Sequence, residues 1–403
     1  MSCPFGYSAG SNSSAASSSK DNNDLNIPPS VVSDDGVYYD DYLGLEKLLS
    51  AQNPLSREKC NKEAHDEMLF IITHQAYELW FKQVLHEIDS LLKIFCAQPI
   101  LEKELGVALS RLNRICEIQK VLLAQISILE TMHPQDFLEF RHLLTPASGF
   151  QSIQFKLIEN KLGILRSQRF NLAKTEYLGY FRPEHQIVLA KSERLSLLQL
   201  VEAWLERTPF LKMKNWSFIE EYRKAVDTMI EQDREIIRSD RHLSAEQKAA
   251  QLAQIEATAT QFESLWDEKA HQQLQEQGYR RISYKALQAA LMISLYRDEP
   301  MLILPHKIIA ALVEVDENLT LWRYRHTMMV HRMIGSKMGS GGSSGYRYLK
   351  STTSDRYKVF VDFFNLSSYL IPSSARPTLP TEAKKLLGYY YQPESIDQST
   401  IND

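Results

Sequence analysis

Four cysteines in 403 residues, Cys3, Cys60, Cys96 and Cys116, are too few and too scattered for a disulfide framework or a metal-binding repeat. Reduced thiols in a cytosolic protein are the expectation, and Cys3, next to Pro4, reads as a tail thiol. No apolar run approaches the ~18 residues of a membrane helix. The N-terminal residues lack the basic and apolar regions of a secretory signal. Charge of one sign is also missing. The net charge is −4 at pH 7, and acidic and basic residues are interspersed without a basic stripe. That argues against nucleic acid or an anionic membrane as partner. No Gly-Lys-Ser/Thr phosphate loop, Ser-His-Asp set or reactive-cysteine arrangement is present, and no stretch alternates as a strand would.

What is present is helical. Residues 1–35, rich in Ser, Asn, Asp and Gly, read as a disordered tail. Beyond them apolar residues recur with helical spacing: Leu69, Ile72, Leu79, Leu85, Ile88 and Leu92 predict one helix over His65 to Phe95, and Leu109 to Leu129 predict a second. Further helices are expected over Asp136–Leu144, Ser152–Leu165, Leu195–Arg207, Ser283–Tyr296, His306–Ile334 and Thr353–Tyr369, with Pro300 and Pro305 bracketing a loop. The charged stretch 210–280, with a capping box at Ser244–Gln247, reads as a small helical inserted domain. Residues 36–209 and 281–372 would form the main all-helical domain, and 373–403 a C-terminal tail. The fold class is all-α.

Four constellations carry candidate chemistry. Phe70, His74, Tyr77 and Phe81 share one helix face, which suits the wall of a flat apolar ligand site and equally suits a satisfied core histidine. Trp322-Arg-Tyr-Arg-His326 lies late in a long helix with Met and Val around it. A neutral imidazole in an apolar shell is what an axial haem ligand needs, with Arg323, Arg325 or Arg332 within reach of propionates; a structural role is as compatible with the spacing. His331 lies about 140° from His326 around the helix, so the two do not share one metal. The glycine-rich run Gly335–Gly345 fits a ligand lid or a surface linker. Phe137 and Arg141, four apart on a short helix, pair a ring with a guanidinium that can clamp a carboxylate or equally form an ordinary surface ion pair, and Ser148-Gly149 follows them.

These stretches resemble one family. His65-Asp-Glu through Gln83, Pro146 to Ser152, Glu202 to Pro209, Trp322 to His326, Gly341 to Tyr346 and Ser354 to Phe360 resemble the haem-dependent, animal-type tryptophan 2,3-dioxygenases, over about residues 38–372. The resemblance implies a homotetrameric, all-α enzyme with one haem b per subunit. Its reaction would cleave the C2–C3 bond of the L-tryptophan indole with O2 to give N-formyl-L-kynurenine, the first step of the kynurenine pathway. It implies His326 as the haem-iron ligand, His74 as the catalytic residue hydrogen-bonded to the indole N–H, and Phe70 and Phe137 as pocket walls. Arg141 would bind the substrate carboxylate, and Ser148 would lie near haem. Tyr39 and Tyr42 would reach the pocket of a neighbouring subunit through exchanged N-terminal segments. Ser340 stands where the family commonly has a threonine against the substrate ammonium, so the hydroxyl is kept and a methyl lost. Trp204 and Arg207 are similar to part of a second tryptophan-binding surface, a role left open. Two other readings are compatible with these residues: an indoleamine-type dioxygenase of broader substrate range, and a helical scaffold without activity.

Overall fold

The computed structural model describes residues 36–387 except 61, 171–176, 210, 214 and 339–344, and they fall into two units that divide at Ala51. In the first unit, α1 (Tyr39–Leu43) and α2 (Leu45–Leu49) meet at Gly44, whose positive φ of 60° ends one helix and opens the next without a Cβ penalty.

The second unit runs α3 (Leu55–Cys60), α4 (His65–Cys96), α5 (Glu102–Leu129), α6 (Pro134–Arg141), α7 (Ile153–Leu162), α8 (Pro183–Ser192) and α9 (Leu197–Leu205). A two-residue hairpin, β1 (Lys212–Met213) and β2 (Trp216–Ser217), follows. The chain continues through α10 (Phe218–Ser239), α11 (Ala245–Glu263), α12 (Glu268–Glu276), α13 (Tyr284–Leu295), α14 (Pro300–Ile334), α15 (Gly345–Ser351), α16 (Val361–Asn365) and α17 (Thr381–Leu387). The protein is all-α, and this hairpin is the only sheet among the described residues. No helix among them is long and apolar enough to cross a membrane.

Three long helices make the frame. On α4 the buried residues Tyr77, Phe81, Val84, Ile88, Leu91 and Phe95 step by three and four, which keeps one stripe against the core. Leu112, Ile115, Gln119, Leu122, Ile126 and Leu129 do the same on α5, and Ile308, Leu312, Val315 and Leu319 on α14. Helix α5 packs against both α4 and α14. Three buried side chains lock the trio in register by donating to main-chain carbonyls: Tyr77 Oη to Leu122 O at 2.8 Å, Gln125 Nε2 to Thr73 O at 2.9 Å, and Gln119 Nε2 to Val315 O at 2.9 Å.

Two expectations are corrected locally. Pro300 opens α14 at its first position, where no hydrogen bond is lost, and Pro305 lies inside the helix rather than at the edge of a loop. Burial of Leu302, Ile308 and Ile309 around it offsets the missing bond. The single helix expected over 353–369 is instead α16 flanked by the 3₁₀ turns Asp355–Tyr357 and Leu366–Tyr369. The buried residues Tyr357, Phe360, Phe363, Leu366 and Tyr369 recur every three residues, a period that favours the tighter helix.

The charged stretch forms α10 and α11, joined at the surface by Arg234 Nη2–Glu256 Oε1 at 2.8 Å and capped by the Ser244–Gln247 box that its sequence anticipates. Its apolar feet, Phe218, Tyr222, Val226 and Phe262, belong to the same hydrophobic cluster as the three long helices. At its end His271 on α12 is fully buried, with Nε2 3.0 Å from Ile282 O and no partner at Nδ1.

Burial lowers the His271 pKa below the ordinary 6.5. The unfolded chain therefore takes up a proton as pH falls through 6.5 while the folded chain does not, and folding stability drops in that window. His271→Gln is expected to reduce that acid-side slope, read as urea midpoints between pH 7 and pH 5.

Candidate active site

Helices α4, α5, α6, α7, α14 and α15 enclose a cavity of about 330 Å³, a size typical of small-molecule sites. The expected site residues Phe70, His74, Phe137, Arg141, Ser148 and His326 line it, as do Tyr77, Phe81, Trp322 and Arg323 from the same stretches. Tyr39 and Tyr42 lie on α1 in the first unit, both largely exposed. Ser340 and most of the glycine-rich run, like Cys3, lie outside the described residues.

The α4 wall is built from one helix face. Phe70 and His74 pack with ring centroids 4.1 Å apart and their planes tilted by 36°. Phe137 from α6 lies 5.7 Å from Phe70, and Phe140 edges both rings at 5.6 and 5.4 Å. His74 Nδ1 is 2.7 Å from Phe70 O. A carbonyl only accepts, so Nδ1 carries the proton and the neutral ring offers a bare Nε2. Although the ring is open to the cavity, the surrounding protein strips its water and lowers its pKa.

Across the cavity, His326 projects from α14 with its ring stacked on Trp322 at 5.0 Å. Desolvation, then the proximity of His74, push its pKa down to about 4, so its imidazole is neutral at pH 7. No hydrogen bond satisfies either of its ring nitrogens among the described residues. Trp322 is wedged between Phe155 at 5.1 Å and Tyr77 at 6.0 Å, and its indole Nε1 is buried without a partner. Met329, Val330 and Met333 extend this side as an apolar surface.

Arg141, at the end of α6, donates from Nη2 to Met338 O just after α14. Ser148 is the N-cap of a 3₁₀ turn, accepting from Phe150 N at 3.3 Å while Gln151 Oε1 accepts from its own N–H at 3.2 Å. Its hydroxyl thus already has a structural task at the cavity edge. Of the three arginines near His326, Arg323 borders the cavity, Arg325 turns to Glu130 at 3.2 Å, and Arg332 is exposed.

Sequence reasoning missed the cavity floor. Glu159 on α7 is nearly fully buried and meets three cations: Lys156 at 3.0 Å, Arg169 at 2.5 Å and Arg323 at 2.8 Å. These cations hold the carboxyl far below its usual pKa against the pull of burial. The Lys156–Glu159 spacing of three was visible, but on a helix it reads as an ordinary surface pair. Nothing local to Arg169 or Arg323 announces that both converge on it.

Comparison with known proteins gives a consistent result. The sequence model of the tryptophan 2,3-dioxygenase family matches residues 24–370. A tryptophan 2,3-dioxygenase of Dictyostelium discoideum is 51% identical over 355 residues, 88% of each chain. That of Rattus norvegicus is 45% identical over 401 residues, 98% of this chain and 97% of the rat protein. That of Bdellovibrio bacteriovorus is 46% identical over 88% of this chain and 99% of its own.

Glu159→Gln would leave three buried cations around a neutral amide. It is expected to cost about 3–5 kcal/mol, the range for removing one partner of a buried ion pair, measured by urea denaturation at pH 7.

Proposed function

The chain belongs to the tryptophan 2,3-dioxygenase family and cleaves the C2–C3 bond of the L-tryptophan indole with O2 to give N-formyl-L-kynurenine, and we propose that the cavity between His74 and His326 is where this happens. The observation that carries the reading is the pairing of two desolvated, neutral imidazoles on facing walls of one apolar cavity, one with a free Nε2 and the other without any hydrogen bond.

Haem b fits the donor set. Among the described residues no three histidine, cysteine or carboxylate groups cluster as metal ligands, so a bare ion in this cavity would lack its usual three or four protein donors. A macrocycle supplies four donors itself and asks the protein for one axial imidazole in an apolar shell. His326 is that imidazole in this reading, with the unpartnered Trp322 N–H beside it. Bound haem iron supplies the dioxygen chemistry; the protein's share is binding and orientation.

The substrate indole lies against Phe70 and Phe137, and its N–H donates to His74 Nε2. That bond fixes which edge of the indole faces the reacting centre. His74 acts by orientation, since an indole N–H is too weak an acid for an ordinary imidazole to deprotonate. Arg141 exchanges the Met338 carbonyl for the substrate carboxylate, a charge-assisted bond stronger than the neutral one it replaces. Ser340 meets the substrate ammonium from the glycine-rich run, and Ser148 borders the haem. Tyr39 and Tyr42 complete the pocket of a neighbouring subunit in a cytosolic homotetramer. Their exposure on α1 supports a role outside their own unit's core.

A carboxylate clamp at Arg141 favours L-tryptophan over tryptamine, which an indoleamine-type enzyme would accept readily. His326→Ala is expected to abolish the Soret band when apoprotein is titrated with haemin; full haem occupancy would contradict the ligand assignment. His74→Ala is expected to lower turnover at least tenfold yet leave it measurable, with the Soret band unchanged. Complete loss of turnover would instead make His74 an obligatory base.

A further inference from the structure

Three cations meet one carboxylate in the cavity floor. Glu159 is the one carboxylate paired with Lys156, Arg169 and Arg323, all with side chains at most 5% exposed. Glu193 approaches the rim through Tyr177 but is paired with Arg166 at 2.8 Å. The phenols of Tyr348 and Tyr357 are pushed up by burial and stay neutral. Both arginines remain charged at any ordinary pH, so one of them already balances Glu159.

Both arginines engage both of their Nη groups within the fold, while the buried Nε of Arg169 has no partner. Arg323 gives Nη2 to Glu159 and Nη1 to Tyr357 O at 3.2 Å, and Arg169 gives its two Nη groups to Glu159 and Asn160. Lys156 is different. Of its three N–H donors only one is bonded among the described residues, to Glu159 Oε2 at 3.0 Å. The ammonium borders the cavity 4.9 Å from the Phe150 ring centroid and 5.5 Å from that of Phe155. For stability alone an apolar side chain of the same length would serve better, because a third buried cation costs desolvation without a carboxylate of its own.

We propose that Lys156 is a carboxylate seat in the cavity floor: its ammonium, held between Glu159 and the Phe150 and Phe155 rings, receives a carboxylate of the molecule that occupies the cavity. The proposal rests on the haem and tryptophan reading above, in which two sources exist, a haem propionate and the substrate's own carboxylate. Burial lowers the lysine's proton affinity while the seat is vacant, and an arriving anion reverses that, which makes the seat selective for charge.

The test compares apoprotein, Lys156→Met and Lys156→Arg in binding haemin against its dimethyl ester, whose propionates are blocked, and L-tryptophan against tryptamine. The unaltered protein is expected to prefer the carboxylate-bearing member of the pair that Lys156 serves by at least about tenfold, as a hydrogen bond to a charged group allows, beyond the preference for L-tryptophan that Arg141 already gives. Lys156→Met should lower that ratio by at least about tenfold, to near one in the porphyrin pair or to the share left by Arg141 in the amine pair, and Lys156→Arg should restore it. A ratio that falls in the porphyrin pair names the propionate; in the amine pair, the substrate. The apoprotein melting temperature of Lys156→Met should stay level or rise. Unchanged ratios in both pairs overturn the proposal. So does a fall in melting temperature with equal weakening of both members of each pair, since that marks Lys156 as scaffolding. Failure of the unaltered protein to bind either porphyrin would sink the haem reading, while the tryptophan pair would still decide the seat.

Discussion

Helices α4, α5 and α14 are held in register by side chains that reach across and hydrogen-bond to a neighbour's main-chain carbonyl, and the cavity exists only in that register. Packing of apolar stripes alone tolerates sliding. The bonds from Tyr77 to Leu122, Gln125 to Thr73 and Gln119 to Val315 do not, because a shift by one residue would leave a buried amide or phenol unpaired. One residue along a helix also swings a side chain by about 100°. His74, one residue past the Thr73 carbonyl, and His326, three turns beyond Val315, would then no longer face the same space.

Within that frame the cavity separates two kinds of electrostatics. Its walls carry imidazoles kept neutral by desolvation among Phe, Trp and Met side chains. Its floor carries a dense ionic cluster in which Glu159 ties α7, the Arg169 segment and α14 together. Arg323 sits one turn before His326, so the anchor that fixes α14 to α7 also fixes the base from which the imidazole projects. The neutral walls suit a flat apolar ligand, and the charged floor limits how α14 can move beneath it.

Much of this was legible in the sequence. Long stretches with a 3.6-residue period located α4 almost to its ends and α5 and α14 at their C-terminal ends, because burial of one stripe dominates local preference there, while the first two turns of α5 and α14 were not anticipated. Phe70, His74, Phe137, Arg141 and His326 stood out because aromatic, histidine and arginine residues recurred at one-turn spacings on single helices. The ionic floor was not legible: Lys156, Glu159, Arg169 and Arg323 converge across 167 positions of chain, and each alone reads as a surface charge. The 353–369 stretch misled because a three-residue apolar repeat resembles a helix stripe while favouring 3₁₀ turns. Pro305 misled because a proline inside a helix costs about 3 kcal/mol, which only tertiary packing can offset.

The central claim is that this cavity opens the indole ring of tryptophan with both atoms of one O2. The measurement that tests it most directly is mass spectrometry of the product formed from L-tryptophan under ¹⁸O₂ by the purified, haem-loaded protein. N-formyl-L-kynurenine carrying two labelled oxygens is the expected result. A product with one labelled oxygen or none, or no product from a fully haem-loaded protein, would contradict it.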